Sequence, residues 1–256
     1  MNVRKLEGLE VEAPRTLKEL DGVNLSDVAI LISKNPEVHV FVDLAQGQKT
    51  GFFMDQSMNI HTFKSFIANT KFNQTVRIID LCCYVGQWAT YLSQQLTSQG
   101  YKVEVLLVDG SQDALDFATR NVLSNSPSEL VKVETLKGDV LKVLDTLAPD
   151  SFDIVICDPP AFIKNRKDIH AGEHAYLKLN ESSMKLLKPK GFIASCSCSA
   201  LLEEESMIAM LSKASRRANK SIQWIAKGSQ AVDHPVLSEF PEGRYLKSWF
   251  GIYNFS

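Results

Sequence analysis

Val76-Arg77-Ile78-Ile79-Asp80-Leu81-Cys82-Cys83-Tyr84-Val85-Gly86-Gln87-Trp88 is an apolar, β-branched run that breaks into a tight turn and resumes with helical spacing. Such a run reads as a buried strand, and Gly86–Leu96 as a helix laid back over it. Gly86 is the residue of that turn free of a Cβ penalty, so backbone can close on a ligand there. The unit then recurs. Val103–Val108 is a strand, Ser111–Val122 a helix opened by a serine cap, Val131–Leu136 a strand and Val140–Leu147 a helix. A strand ending in Cys157, a helix around Glu173–Leu187, the strand Phe192–Cys196 and the helix Leu201–Ala218 follow. Ile222–Ala226 and Tyr245–Tyr253 read as two strands with no helix between them. Alternation of this kind predicts an α/β fold: a mostly parallel sheet, helices on both faces, and an antiparallel hairpin at its C-terminal edge.

Upstream the rhythm is absent. Val38–Asp43 and Thr50–Met54 read as short strands separated by turn-prone Gln46-Gly47-Gln48, and Asn59–Thr70 as a helix leading into the sheet. The expected organisation is a small α+β leader over residues 1–74 and one larger domain over 75–256.

Composition narrows the function. With 256 residues and 45% hydrophobic content the chain can bury a full core. A net charge of −2 gives no general pull toward nucleic acid, so such binding would rest on local patches. No apolar stretch reaches the roughly 18–20 residues of a membrane span, and the start Met1-Asn2-Val3-Arg4-Lys5 is no signal peptide. The five cysteines are odd in number and gather at strand ends, which argues for a reducing cytoplasm over a disulfide framework. Their spacing, with His170, His174 and His234 standing apart, gives no metal site.

In an open parallel sheet, ligands gather beyond the carboxyl ends of the strands. Asp158-Pro159-Pro160 follows one strand and Ser197-Cys198-Ser199 another, so a carboxylate and a thiol can meet at one small molecule. The turn after the first strand is not G-x-G-x-x-G, which disfavours a pyrophosphate cradle. Asp109, in Val108-Asp109-Gly110-Ser111, suits the two hydroxyls of a ribose. Asp139, after the third strand, suits an adenine amino group, a helix N-cap, or both. Lys164-Asn165-Arg166-Lys167 is either a solvated loop face or a patch for substrate phosphates.

Several segments together resemble the class I S-adenosylmethionine methyltransferases, and among them the bacterial large-subunit rRNA cytosine-C5 methyltransferase family. They are Gly47-Gln48-Lys49-Thr50-Gly51-Phe52-Phe53-Met54-Asp55-Gln56, Asp109-Gly110-Ser111-Gln112, Asp158-Pro159-Pro160 with Phe162, Ser197-Cys198-Ser199, Ala231-Val232-Asp233-His234-Pro235-Val236, and Pro241-Glu242-Gly243-Arg244-Tyr245-Leu246-Lys247. With their strands they cover about residues 38 to 256. The chain departs from the family in three places. No PUA-type RNA-binding domain is expected before Val38, Gln87 stands where a second glycine is usual, and Ser57 stands where an arginine is common.

The resemblance implies a Rossmann-like methyltransferase sheet, S-adenosylmethionine as cofactor, and an RNA substrate, first of all rRNA. It implies no membrane and leaves room for a homodimer. Asp80, Tyr84, Gly86, Asp109, Ser111, Asp139 and Asp158 fall to the cofactor, as do Lys49, Thr50 and Phe52. Lys49–Phe52 and Asp55-Gln56 are expected to close over the cofactor's methionine end or the substrate entrance. Cys198 matches the nucleophile, which adds to carbon 6 of the base so that carbon 5 can take a methyl group. Its thiolate would be favoured by the N-terminus of the helix near Leu201, with Ser199 as cap. Asp158 would bind the base edge, Pro159 and Pro160 stiffen that turn, Phe162 stack on the base, and His234 lie on the substrate side. Cys196, inside the apolar run, is expected to be core; Cys82, Cys83 and Cys157 read as small apolar fillers. Three alternatives stay open. They are methylation of an exocyclic amine, which has no use for a thiol; a dinucleotide-dependent oxidoreductase; and a non-catalytic RNA-binding factor that retains the pocket.

Overall fold

The computed structural model describes residues 22–47 and 51–254. In chain order its elements are β1 (Val28–Lys34), β2 (Glu37–Val42), α1 (Ser57–Ala68), β3 (Thr75–Leu81), α2 (Gln87–Ser98), β4 (Lys102–Asp109), α3 (Gln112–Ser124), β5 (Val131–Lys137), α4 (Val140–Leu144), β6 (Phe152–Cys157), α5 (Ile169–Lys185), β7 (Leu187–Ser197), α6 (Glu204–Arg217), β8 (Ile222–Gly228) and β9 (Lys247–Tyr253). Seven of the strands form one sheet in the order β5-β4-β3-β6-β7-β9-β8. β3, β4, β5, β6 and β7 pair in parallel, while β9 runs antiparallel to both β7 and β8. This is a doubly wound, mostly parallel sheet, with the expected antiparallel edge.

Strand order explains the burial pattern. β3 lies centrally, and Val76, Ile78, Ile79 and Leu81 are all buried, as expected of a strand covered on both faces. α1, α2 and α3 cover one face, where Phe63 meets Trp88 and Phe192 edge-on at 5.9 and 6.4 Å. α4, α5 and α6 cover the other, around Tyr176, Leu179, Met207 and Leu211. The chain reverses its direction across the sheet between β3 and β6, which leaves a crevice beyond their carboxyl ends.

Three expectations need correction. No strand forms at Thr50–Met54: Thr50 lies outside the described residues, and Gly51 is left-handed (φ 84°). Phe52 packs with Val40, Val42 and Val85, and Met54–Gln56 make a single 3-10 turn. β2 instead pairs antiparallel with β1, a strand the sequence reading did not find. The helix expected over Val140–Leu147 stops at Leu144. The helix expected from Leu201 starts at Glu204, because Leu202 N–H bonds Ser199 O in a turn that buries the Leu202 side chain.

The β1–β2 ribbon is held on the main sheet by an unusual polar seam. Asn121 on α3 and Asn125, the residue that ends that helix one turn later, offer their amides to the outer edge of β2. Asn121 Oδ1 accepts from Phe41 N–H (2.7 Å) and its Nδ2 donates to Phe41 O (3.1 Å). Asn125 does the same with His39, at 2.9 and 2.7 Å. Asn121 Nδ2 also reaches Val85 O (2.9 Å), which ties the ribbon to the turn after β3.

Candidate functional site

That turn is set by backbone geometry. Cys82 (φ 60°), Tyr84 (48°) and Gly86 (71°) are all left-handed, a conformation that costs a non-glycine residue about 1–2 kcal/mol. The surroundings hold it in place. Cys83 N–H bonds Val108 O (3.1 Å), Gly86 N–H bonds Cys83 O (2.8 Å), and Tyr84 N–H donates to Asp109 Oδ2 (2.9 Å). A Cβ on Gly86 would lie 2.8 Å from that of Ala118, so only glycine lets α2 and α3 approach here. Asp109 Oδ1 accepts from Ser111 N–H (2.9 Å), and Ser111 Oγ caps α3 by accepting from Ala114 N–H (3.3 Å). Asp109 is thus fixed by two backbone donors, with lone pairs left over for a ligand.

The β6–β7 end is built from side chains. Asp158 follows β6, and Oδ2 accepts from Gln56 Nε2 (2.9 Å) and Trp88 Nε1 (3.1 Å). Asn59 Nδ2 donates to Gln56 Oε1 (2.7 Å) and to Ser248 Oγ (3.0 Å), and Ser248 Oγ lies 3.2 Å from Cys196 Sγ. A buried chain of polar groups therefore runs from α1 to β9 and β7 behind the carboxylate. The two thiols of β7's exit divide. Cys196 is fully buried, and burial pushes its pKa well up; Cys198 is partly exposed, with Sγ 4.0 Å from Pro159 O. Ser199 does not cap α6. Its Oγ accepts from Ile163 N–H (3.1 Å) and pairs with Tyr176 Oη (2.9 Å), fixing the loop after Asp158.

Between these ends lies a cavity of about 500 Å³, within the range that small-molecule sites occupy. Tyr84, Asp109, Ser111, Asp158, Pro159, Pro160 and Cys198 line it. Other expected residues do not. Asp80 is buried beneath the turn, where Oδ2 accepts from Ala89 N–H (3.2 Å). Its Oδ1 has no hydrogen-bond partner among the described residues, and burial pushes its pKa well up. Gly86 turns the chain behind the cavity. Asp139 is exposed and caps α4, accepting from Leu141 N–H (2.9 Å). Phe52 faces the small ribbon core, and Phe162 packs against Tyr176 with its ring tilted by 50° at 4.7 Å. His234 contacts Asp233 and, edge-on, Tyr245. Lys49 and Thr50 lie outside the described residues. Lys164–Lys167 is solvent-exposed.

The cavity also has walls that the sequence reading did not assign. Trp88, Phe53, Phe117 and Asp43 line it. Gly47 belongs to the same wall; a Cβ there would fall 2.1 Å from Asp43 O and 3.0 Å from Tyr84 Oη. Asp55 and Gln56 line it too, so that part of the N-terminal segment does sit at the sheet's carboxyl edge. Cys82 and Cys83, read as fillers, border it; burial raises the pKa of both. Among the described residues no cluster of three or more His, Cys, Asp or Glu could hold a metal, and no helix is long and apolar enough to cross a membrane.

Comparison with known proteins gives the site a context. The family described as "Methyltransferase domain" matches residues 72–249. Ribosomal RNA large subunit methyltransferase I of Yersinia pseudotuberculosis and that of Yersinia pestis are each 33% identical over 251 residues. That alignment covers 97% of this chain, and the chain spans 59% of the length of those relatives. Among solved structures, a chain from Streptococcus mutans superposes with a TM-score of 0.70 at 17% identity, covering 91% of this chain and 57% of its own. The SAM-dependent methyltransferase from Agrobacterium tumefaciens gives 0.64 at 16% identity, covering 94% and 72%. At such identities these likenesses speak for the fold alone.

Proposed function

Since the chain belongs to the methyltransferase-domain family, we propose that it transfers the methyl group of S-adenosylmethionine to carbon 5 of a cytosine in RNA, rRNA in the first instance, through a covalent adduct on Cys198. The observation that carries this reading is the pairing of Asp158 and Cys198 on adjacent strand exits at one cavity, with Cys196 sealed away behind. That the Yersinia relatives are ribosomal RNA large subunit methyltransferases supports the RNA substrate. The residues present fit the cofactor. Tyr84, Gly47 and Asp43 wall one end of the cavity, and Asp109, fixed by two backbone donors with lone pairs to spare, suits two ribose hydroxyls.

When bound, S-adenosylmethionine supplies an electrophilic methyl group. The work of this chain is to make carbon 5 nucleophilic. The Cys198 thiolate adds to carbon 6, and the displaced ring electrons give carbon 5 enamine character. Asp158, held through Oδ2 by Gln56 and Trp88, meets the amino and N3 edge of the base, and a proton that its carboxyl group donates to N3 takes up the displaced charge and returns when the ring electrons do. Carbon 5 would take the methyl group as the sulfonium's S–CH3 bond breaks to leave a neutral thioether, then lose its proton to water, and the bond from Cys198 Sγ to carbon 6 would break to return the thiolate. A base in a helix must be unstacked to reach this cavity.

RNA carrying 5-fluorocytosine tests the reading, because fluorine in place of the departing proton traps the adduct. Wild type and Cys196→Ser form the covalent complex and Cys198→Ser does not. An adduct that survives loss of Cys198 refutes the assignment. Methyl transfer to RNA undiminished in Cys198→Ser moves the target to an exocyclic amine.

A further inference from the structure

The cation that a nucleophilic thiol needs does not come from a helix N-terminus here. α6 begins at Glu204, after Glu203, and its first turn carries Glu204 and Glu205. β9 brings a lysine to the same place. Lys247, its first residue, pairs with Ser197, the last residue of β7. Its Nζ donates to Ser199 O (2.9 Å) and Tyr245 O (3.2 Å), so the ammonium is tied to the peptide that follows Cys198. Leu246, just before it, lines the same cavity as Cys198.

We propose that Lys247 is the positioning residue of the thiol: held by two carbonyls across the β7–β9 pair, it stabilises the Cys198 thiolate before attack and again when the thiolate leaves carbon 6. This rests on the reading of Cys198 as nucleophile. Burial lowers the Lys247 pKa, while the neighbouring Cys198 and then Glu204 and Glu203 work against that shift. Among the described residues, acidic and phenolic groups face the pair from the elements around it. They are Asp158 after β6, Tyr176 on α5, Glu203 and Glu204 at the head of α6, and Tyr245 with Asp55 and Asp233 before β9. Lys227 on β8 pairs with Glu204 (2.7 Å), and the remaining carboxylates disfavour a second negative charge, which the Lys247 ammonium offsets.

The test needs no RNA. Alkylation of Cys198 by iodoacetamide, followed by peptide mass spectrometry from roughly pH 6 to 10, brackets the ordinary thiol value of about 8.5. Full-length wild type, Lys247→Met and Lys247→Arg are compared, with cofactor binding by calorimetry as the check on folding. Lys247→Met should slow alkylation about tenfold at neutral pH, the effect of a pKa displaced by about one. Its rate should converge on wild type in alkali, and Lys247→Arg should recover most of the loss. If Lys247→Met does not fold, Lys247→Gln, uncharged but still able to donate to the carbonyls, takes its place. A neutral variant whose pH profile superimposes on wild type overturns the proposal. That result leaves the nucleophile standing if wild-type protein still traps 5-fluorocytosine RNA; an adduct in Cys198→Ser removes the nucleophile whatever the alkylation profile.

Discussion

The two ends of the cavity are made by different means. At β3–β4 the site is local backbone: three left-handed residues within 82–86, locked by the Tyr84 N–H onto Asp109. At β6–β7 it is assembled from distant side chains, with Gln56 reaching across 102 positions to Asp158 and Lys247 across 48 to Ser199. The first kind of site is rigid because one short stretch has almost no alternative. The second stays in place only while several elements remain packed, so single substitutions should be felt differently at the two ends.

The largest effect is expected under the backbone-built end. Burial holds the Asp80 carboxyl above the usual carboxylate range, so the folded protein binds that proton more tightly than the unfolded chain. Its stabilising contribution is complete below about pH 4, the ordinary aspartate value, and is lost as pH rises through the raised native value. Asp80→Asn, neutral throughout, should gain stability relative to wild type as pH climbs from about 4 toward neutrality, read by urea unfolding. A difference that stays flat with pH would show that the charge is not confined there.

Asp109→Ala comes next. It removes a charged acceptor worth about 1.5–3 kcal/mol per hydrogen bond, or roughly ten- to hundred-fold in cofactor affinity. Calorimetry should register that loss while the alkylation rate of Cys198 stays at its wild-type value. A matching fall in thiol reactivity would merge the two ends into one unit.

The smallest effect should come from Gln56→Ala. A donor to Asp158 Oδ2 disappears while Trp88 Nε1 remains, at a net of about 1 kcal/mol. A several-fold drop in kcat with unchanged cofactor affinity is expected. If affinity falls as far as kcat, Gln56 serves both ends and the contrast fails.

The same contrast governs what could be read from the chain. The parallel sheet, its antiparallel edge and the serine cap at Ser111 were legible because apolar periodicity and capping are local signals. So was the separation of Cys196 from Cys198, since one falls inside the apolar run and the other past it. β1 was missed because Val28–Lys34 alternates weakly, and its pairing depends on β2 and on the α3 asparagines. Gly51-Phe52-Phe53 imitated a strand, although its apolar atoms fill a core and a cavity wall instead of a ladder. The start of α6 was misjudged because Leu202 is claimed by tertiary packing. Trp88 and Lys247 carried no mark of their role, as the partners that define them lie far along the chain.

Asn121 and Asn125 have one more consequence. A two-stranded ribbon at the margin of a protein normally presents bare backbone groups, an invitation to strand-by-strand growth between molecules. Here two side-chain amides stand in for the missing neighbour and occupy the N–H and C=O of His39 and Phe41. That margin of β2 is closed to a second chain, and the closure is written in a helix, where no scan for aggregation-prone strands would look for it.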